Sequence, residues 1–192
     1  ASGDSVFYSG RRIDLGTELW VFGTATGETR LALDINGGWS DSNPSSLIDI
    51  DGTLLFQATD GIHGEELWAS DGDRTWLLKD IRPGFPGTGP RGSVEMGGAV
   101  FFIASDGLYG WELWRTDGTT AGTVKVPGSP LTGGGGLFAA SSLVYFIGVH
   151  PDSGAELWRT DGTESGTWMV KDIRPGPEWS NPFDLAVIND IL

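Results

Sequence analysis

Glu112-Leu113-Trp114-Arg115-Thr116-Asp117-Gly118-Thr119 returns 44 residues later, unchanged, as Glu156-Leu157-Trp158-Arg159-Thr160-Asp161-Gly162-Thr163. Working outward, Glu-Leu-Trp also stands at Glu18-Leu19-Trp20 and Glu66-Leu67-Trp68, so the chain holds four copies at spacings of 48, 46 and 44 residues. A glycine lies two places before each Glu (Gly16, Gly64, Gly110, Gly154), and an aromatic ten places before it (Tyr8, Phe56, Phe102, Phe146). The second and fourth copies also share Lys-Asp-Ile-Arg-Pro-Gly, at 79–84 and 171–176. A register kept over so many positions is a structural repeat.

The second copy can be read strand by strand. Ser46–Asp51 alternates into a turn at Asp51-Gly52, and Thr53–Thr59 is rich in β-formers before a turn over Asp60–Gly64. Glu65–Ser70 carries the Glu-Leu-Trp, Asp71-Gly72 turns again, and Thr75–Ile81 runs up to Pro83-Gly84. Asp-Gly between β-rich runs is a hairpin signal. Four antiparallel strands in a repeat of roughly 40–50 residues match a propeller blade. The Gly and Pro density excludes repeats of helix pairs, and the period is too long for a β-helix. The expectation is an all-β, four-bladed β-propeller of four-stranded antiparallel blades, with residues 1–192 as a single domain.

Composition agrees. Gly is 31 of 192 residues, yet 9 Trp, 9 Phe and 3 Tyr remove the chain from the disordered class. Many turns with many large apolar anchors describe short strands. Without Cys, disulfides, thiolate metal sites and thiol nucleophiles are excluded. A net charge of −14 argues against nucleic acid or an anionic membrane as partner. No apolar run reaches the ~18 residues of a membrane helix. The opening Ala1-Ser2-Gly3 is expected to reflect processing, excision or recombinant preparation, so it carries no address.

Glu-Leu-Trp-x-x-Asp-Gly-Thr-x-x-Gly-Thr, followed by Val-Lys-Asp-Ile-x-Pro-Gly, resembles the tandem "ELWxxDGTxxGT" repeats, also called hyalin-like, of large bacterial secreted or surface proteins. The likeness covers essentially the whole chain and is best at Glu112–Thr123 and Glu156–Thr167. The second copy departs at Asp73-Arg74-Thr75, where two residues are lost, and the first over Val21–Thr29, where Asp-Gly is missing. The resemblance implies a propeller-like fold and a secreted or cell-surface setting. It implies no particular chemistry.

The chain begins inside a repeat, because Ser5-Val6-Phe7-Tyr8 matches Thr53-Leu54-Leu55-Phe56. It ends at Asn189-Asp190-Ile191-Leu192, in the register of that same unit. Phe183–Ile188 is therefore expected to supply the innermost strand of the blade that the N-terminus opens. Such an interlock hides the sheet edges of a ring.

Function is sought where the copies diverge. The four Glu-Leu-Trp tryptophans hold one register and read as core. One Asp per Asp-Gly-Thr turn offers too few oxygens for calcium, so Asp117 and Asp161 read as turn chemistry. The loop between second and third strands and the loop between copies fall on one face. There stand Arg12, Asp60, Asp106 or His150 six places before each Glu, and Leu15, His63, Tyr109 or Ser153 three before. The loops between copies hold Trp39, Phe85, Gly133–Gly136 and Trp179.

This set suits a non-catalytic, lectin-like module binding a small molecule or saccharide through Arg11, Arg12, Trp39, Tyr109 and Trp179. An acidic sugar would stack its ring on Trp while a guanidinium forks its carboxylate. The alternative is a small enzyme using His63, His150, Asp60 and Asp106 as acid–base pairs, and a third reading is a structural segment of a surface adhesin. No triad or Gly-x-Ser-x-Gly motif is present. Neither metal nor cofactor is expected.

Overall fold

The computed structural model of the chain describes residues 5–87, 89–132 and 136–186. Each hairpin signal becomes a turn. The first copy forms β1 (Ser5–Arg12), β2 (Gly16–Gly23) and β3 (Glu28–Leu33), and the second β4 (Ser45–Ile50), β5 (Thr53–Thr59), β6 (Glu65–Ser70) and β7 (Thr75–Lys79). The third follows as β8 (Arg91–Met96), β9 (Ala99–Ala104), β10 (Glu112–Thr116) and β11 (Val124–Lys125). The fourth comprises β12 (Leu131–Thr132), β13 (Phe138–Ala140), β14 (Leu143–His150), β15 (Gly154–Thr160) and β16 (Trp168–Lys171). There is no helix among the described residues.

In the first three copies strands pair in chain order, so each is one antiparallel meander, and the described residues make four separate sheets. The register explains the recurrent aromatic. Tyr8 lies opposite Trp20, Phe56 opposite Trp68, Phe102 opposite Trp114 and Phe146 opposite Trp158. One cross-strand aromatic pair thus pins the central hairpin of every sheet. A register shift falls between the Leu and Trp of Glu-Leu-Trp in three copies, at Leu19/Trp20, Leu67/Trp68 and Leu157/Trp158. There the fourth strand bends away from the third.

The expected four strands do not appear in every sheet. The first sheet holds three, because no innermost strand flanks β1 among the described residues. The segment proposed to fill that place is not in strand conformation over 183–186, and 187–192 lie outside the described residues. In the fourth sheet β12 and β13 both pair with β14, so the sheet counts five strands. Residues 133–135 of the glycine run between them also lie outside the description.

The chain divides into two compact units, Ala1–Pro90 and Arg91–Leu192, each holding two sheets. In the first unit Leu19, Ile35, Leu54, Phe56, Ala58 and Trp68 form the core, with Phe7, Ala32 and Leu77 packed on it. In the second, Phe101, Leu113, Val126, Val144 and Phe146 do the same, with Trp158 against them. Trp68 and Trp114 are buried, whereas Trp20 and Trp158 are half-buried.

Candidate functional site

The loops that diverge between copies are held by backbone at one shared position of the repeat. In every copy the chain leaving a sheet bonds back to the residue just before the repeated Glu. Ser42 and Asn43 donate their N–H groups to Thr17 O (3.0 and 3.2 Å), and Gly89 to Glu65 O (3.0 Å). Thr132 donates to Trp111 O (2.8 Å), and Ser180 and Asn181 to Ala155 O (3.2 and 3.3 Å). The preceding glycine makes room: a Cβ on Gly16 would meet Ser40 O at 2.2 Å, and one on Gly64 the Gly87 N at 2.4 Å. On Gly154 it would meet Glu178 O at 2.4 Å.

The Glu itself, which sequence reasoning passed over, is the second fastening. Glu18, Glu66 and Glu156 are fully buried. Glu18 accepts from the N–H of Ile35 (2.9 Å) and Ser42 (3.2 Å) and from Ser42 Oγ (2.6 Å). Glu66 accepts from Ile81 (2.9 Å) and Arg82 (3.2 Å), and Glu156 from Ile173 (3.3 Å) and Ser180 Oγ (2.5 Å). Burial pushes the Glu18 carboxyl above its ordinary value despite these donors. Invariance of the Glu across copies that differ elsewhere is the signal that could have found this role.

The third copy departs, because it lacks the Asp-Ile present in the other three copies as Asp34-Ile35, Asp80-Ile81 and Asp172-Ile173. Lys125 fills the vacancy, 2.7 Å from both Glu112 Oε2 and Asp106 Oδ2. Burial works against the ammonium, but hydrogen bonds to Asp106 and Glu112 outweigh it and raise its pKa. The same bond to Lys125 holds Asp106 below the usual carboxylate range. Lys125 also lies 5.8 Å from the Tyr109 and Trp114 ring centres. Asp106 is thus tied to Lys125 rather than to His150, the partner considered for it from sequence.

The two histidines present opposite faces. His63 Nδ1 lies 2.6 Å from Asp60 Oδ2, and Asp60 Oδ1 accepts the N–H groups of Ile62 and His63, each at 2.9 Å. Burial would raise the Asp60 pKa, but those donors hold it low, and the carboxylate in turn raises that of His63. A carboxylate only accepts, so the Nδ1 proton stays and Nε2 is the outward nitrogen. His150 is reversed: its Nδ1 accepts the N–H of Asp152 (3.3 Å), and its ring lies 6.3 Å from that of Trp158.

The residues considered for ligand binding divide between the units. In the first, Trp39 is 87% exposed and Arg11 is exposed too. Arg11 acts electrostatically on Asp41, whose carboxylate holds the Thr17 N–H at 2.7 Å. Arg12 forks Asp14 at 2.7 and 3.0 Å and stands 5.9 Å from the Trp20 ring centre. In the second unit Tyr109 is 71% and Trp179 55% exposed. The loops of Trp39 and Trp179 are structural equivalents. Ser42-Asn43 and Ser180-Asn181 make matching bonds, and Asn43 (φ 49°) and Asn181 (φ 46°) share a left-handed backbone. Among the described residues no three His, Cys, Asp or Glu side chains gather as a metal ion requires.

No protein-family model matches the chain, and no curated protein does either. Solved structures do. A puromycin hydrolase is similar over 94% of this chain at 16% identity and TM-score 0.60, the match covering 28% of that protein. A puromycin-hydrolyzing peptidase of Mycobacterium tuberculosis is similar over 92% at 16% identity and TM-score 0.59, covering 29% of its length. The acylaminoacyl peptidase of Pyrococcus horikoshii is similar over 87% at 14% identity and TM-score 0.51, covering 25%. The chain therefore spans under a third of these proteins, and the likeness is one of an all-β, propeller-like fold.

Proposed function

We propose that the chain is a non-catalytic extracellular binding module, secreted or displayed at a cell surface, that takes saccharides on its loops. The observation that carries this reading is exposure of aromatic rings on fastened loops. Trp39, Tyr109 and Trp179 are exposed, Trp39 and Trp179 on loops whose backbones bond back to the residue before the repeated Glu, and Tyr109 on the loop between β9 and β10. Rings held in place without a core to fill are suited to stacking on a sugar. In the first unit Arg11 and the Arg12–Asp14 pair supply donors and acceptors beside Trp39, favouring a sugar that bears a carboxylate. In the same reading the four sheets are the blades of one propeller, and the segment from Phe183 closes it along the free edge of β1.

Titrating tryptophan fluorescence with neutral and uronate-bearing oligosaccharides tests this. The expected result is a saturable change for an acidic glycan, lost in Trp39→Ala and weakened in Arg11→Ala. No response from any glycan would end the reading. The His63–Asp60 pair supports a second reading, acid–base catalysis on the loop of the second copy. A turnover that falls ~10²-fold or more in His63→Ala would favour it.

A further inference from the structure

The turn between β6 and β7, at the end of β6 away from His63, departs from its counterparts in the third and fourth copies. There Asp117 and Asp161 accept the N–H and hydroxyl of Thr119 and Thr163, whose hydroxyls accept the N–H of Gly122 and Gly166. That turn is filled: a Cβ on Gly122 would meet Asp117 Oδ1 at 2.0 Å. Asp71–Thr75 spans five residues where Asp117–Thr123 spans seven. Asp71 Oδ1 accepts the N–H groups of Asp73 (3.0 Å) and Arg74 (2.7 Å), and Oδ2 takes Nε (3.3 Å) and Nη2 (3.1 Å) of Arg74. Arg30 of β3 fastens the short turn by donating to Gly72 O. Beside it lies a cleft of about 410 Å³ lined by Arg74, Thr75 and Trp76, within the roughly 300–1,000 Å³ of small-molecule sites.

The lining differs in chemistry as well as in shape. Thr75 bonds Ser70 across the strands (3.1 Å) as Thr123 bonds Thr116 and Thr167 bonds Thr160 (each 2.7 Å), so Trp76 holds the place of Val124 and Trp168. Trp168 lies opposite Arg159, whose guanidinium stacks 3.9 Å from its ring centre. Trp76 lies opposite Ala69 instead. The cation beside it is Arg74, 5.8 Å from the ring centre and short of contact. Arg74 is 81% exposed and grips Asp71 by one edge of its guanidinium; Nη1, on the other edge, has no partner among the described residues. A flat ring suits the face of Trp76, and a carboxylate suits the free edge of the guanidinium. The neighbouring charges limit the ligand to one negative charge. Asp71 is balanced by Arg74 and Asp73 by Arg30 at 3.5 Å, so a dianion would meet two carboxylates at the mouth.

We propose that this cleft is a second binding site, for a small aromatic monocarboxylate. It goes beyond the saccharide reading and stands without it, because it shares no residue with that site. Calorimetric titration with benzoate and indole-3-acetate tests it, against benzyl alcohol and phenyl phosphate at the same concentrations. The indole N–H resonance of Trp76, identified by its loss in Trp76→Phe, reports where the probes bind. Both carboxylates are expected to bind saturably and to shift that resonance, and the alcohol and the phosphate to bind ~10-fold more weakly or less. Arg74→Ala should weaken carboxylate binding by ~10-fold or more. Arg74→Lys should weaken it too, since it keeps the charge and loses the fork. Both variants should keep the far-UV circular dichroism spectrum, because the Arg74 side chain is exposed. No saturable binding of either carboxylate would overturn the proposal, as would binding that Arg74→Ala leaves unchanged, or that benzyl alcohol matches. So would a shift of the Trp39 resonance in place of that of Trp76. Arg74→Ala keeps Trp39 and Arg11, so glycan titration of that variant separates failure of this site from failure of the saccharide reading.

Discussion

Burying a carboxylate is costly, and donors of the exit loop converge on Glu18, Glu66 and Glu156 to offset that cost, backbone N–H groups in all three and a serine hydroxyl on Glu18 and Glu156. Removing one strands those donors, and Glu66→Ala is expected to cost about 1–3 kcal/mol in urea unfolding. Glu18 adds a pH signature. Its folded pKa is raised, so its contribution is fully present below the unfolded value of about 4.3 and is lost as pH rises through the folded one. Compared with the natural chain, Glu18→Gln should therefore look less damaging at pH 7 than at pH 4. Equal destabilisation at the two pH values would refute that sign. His63 is also raised, by Asp60, so its contribution is complete below about pH 6.5 and fades as pH climbs through the folded value. A histidine NMR titration should place its midpoint above that of free histidine, and Asp60→Asn should lower it. An unmoved midpoint would mean that the short Nδ1 contact carries no charge coupling.

At the scale of elements, most of the strand pattern was legible. The second copy was read as Ser46–Asp51, Thr53–Thr59, Glu65–Ser70 and Thr75–Ile81, and its strands run Ser45–Ile50, Thr53–Thr59, Glu65–Ser70 and Thr75–Lys79. Asp-Gly turns and alternation mark these boundaries locally, which is why they could be read. The recurrent aromatic ten places before Glu was visible too, but its meaning lay in a cross-strand register that spacing alone does not show. Phe56 is 1% exposed opposite Trp68, so Phe56→Ala is expected to cost about 3–5 kcal/mol; a loss under ~1 kcal/mol would mean that the site collapses freely. The Trp39 and Trp179 loops share Ser-Asn-Pro, as Ser42-Asn43-Pro44 and Ser180-Asn181-Pro182, and this local likeness is what their matching bonds express. The Lys125 bridge was not legible, because nothing local announces that an ammonium stands where the other copies have the isoleucine N–H of Asp-Ile.

For the molecule as a whole the decisive element is the edge of β1 that faces away from β2. In the other three sheets the corresponding strands β5, β9 and β14 each have an inner neighbour, β4, β8 or the β12–β13 pair. β1 pairs only with β2 among the described residues, and its pattern is largely exposed. An uncovered strand edge is a template for wrong pairing, and folded chains rarely leave one. If the segment from Phe183 onward closes a ring, the β1 amides that do not bond β2 acquire partners and become part of one cooperative structure. Hydrogen exchange would then show those amides protected about as well as their neighbours in β2, and calorimetry a single transition whose van't Hoff and calorimetric enthalpies agree. Deleting residues 183–192 should abolish the protection of β1 selectively, leaving that of β9 and β10 in place. If instead the outward β1 amides exchange like an open edge, and Ala1–Pro90 melts separately from Arg91–Leu192, the sheets are not blades of a closed ring. The chain is then two sheet pairs in series, each stabilised by its own core.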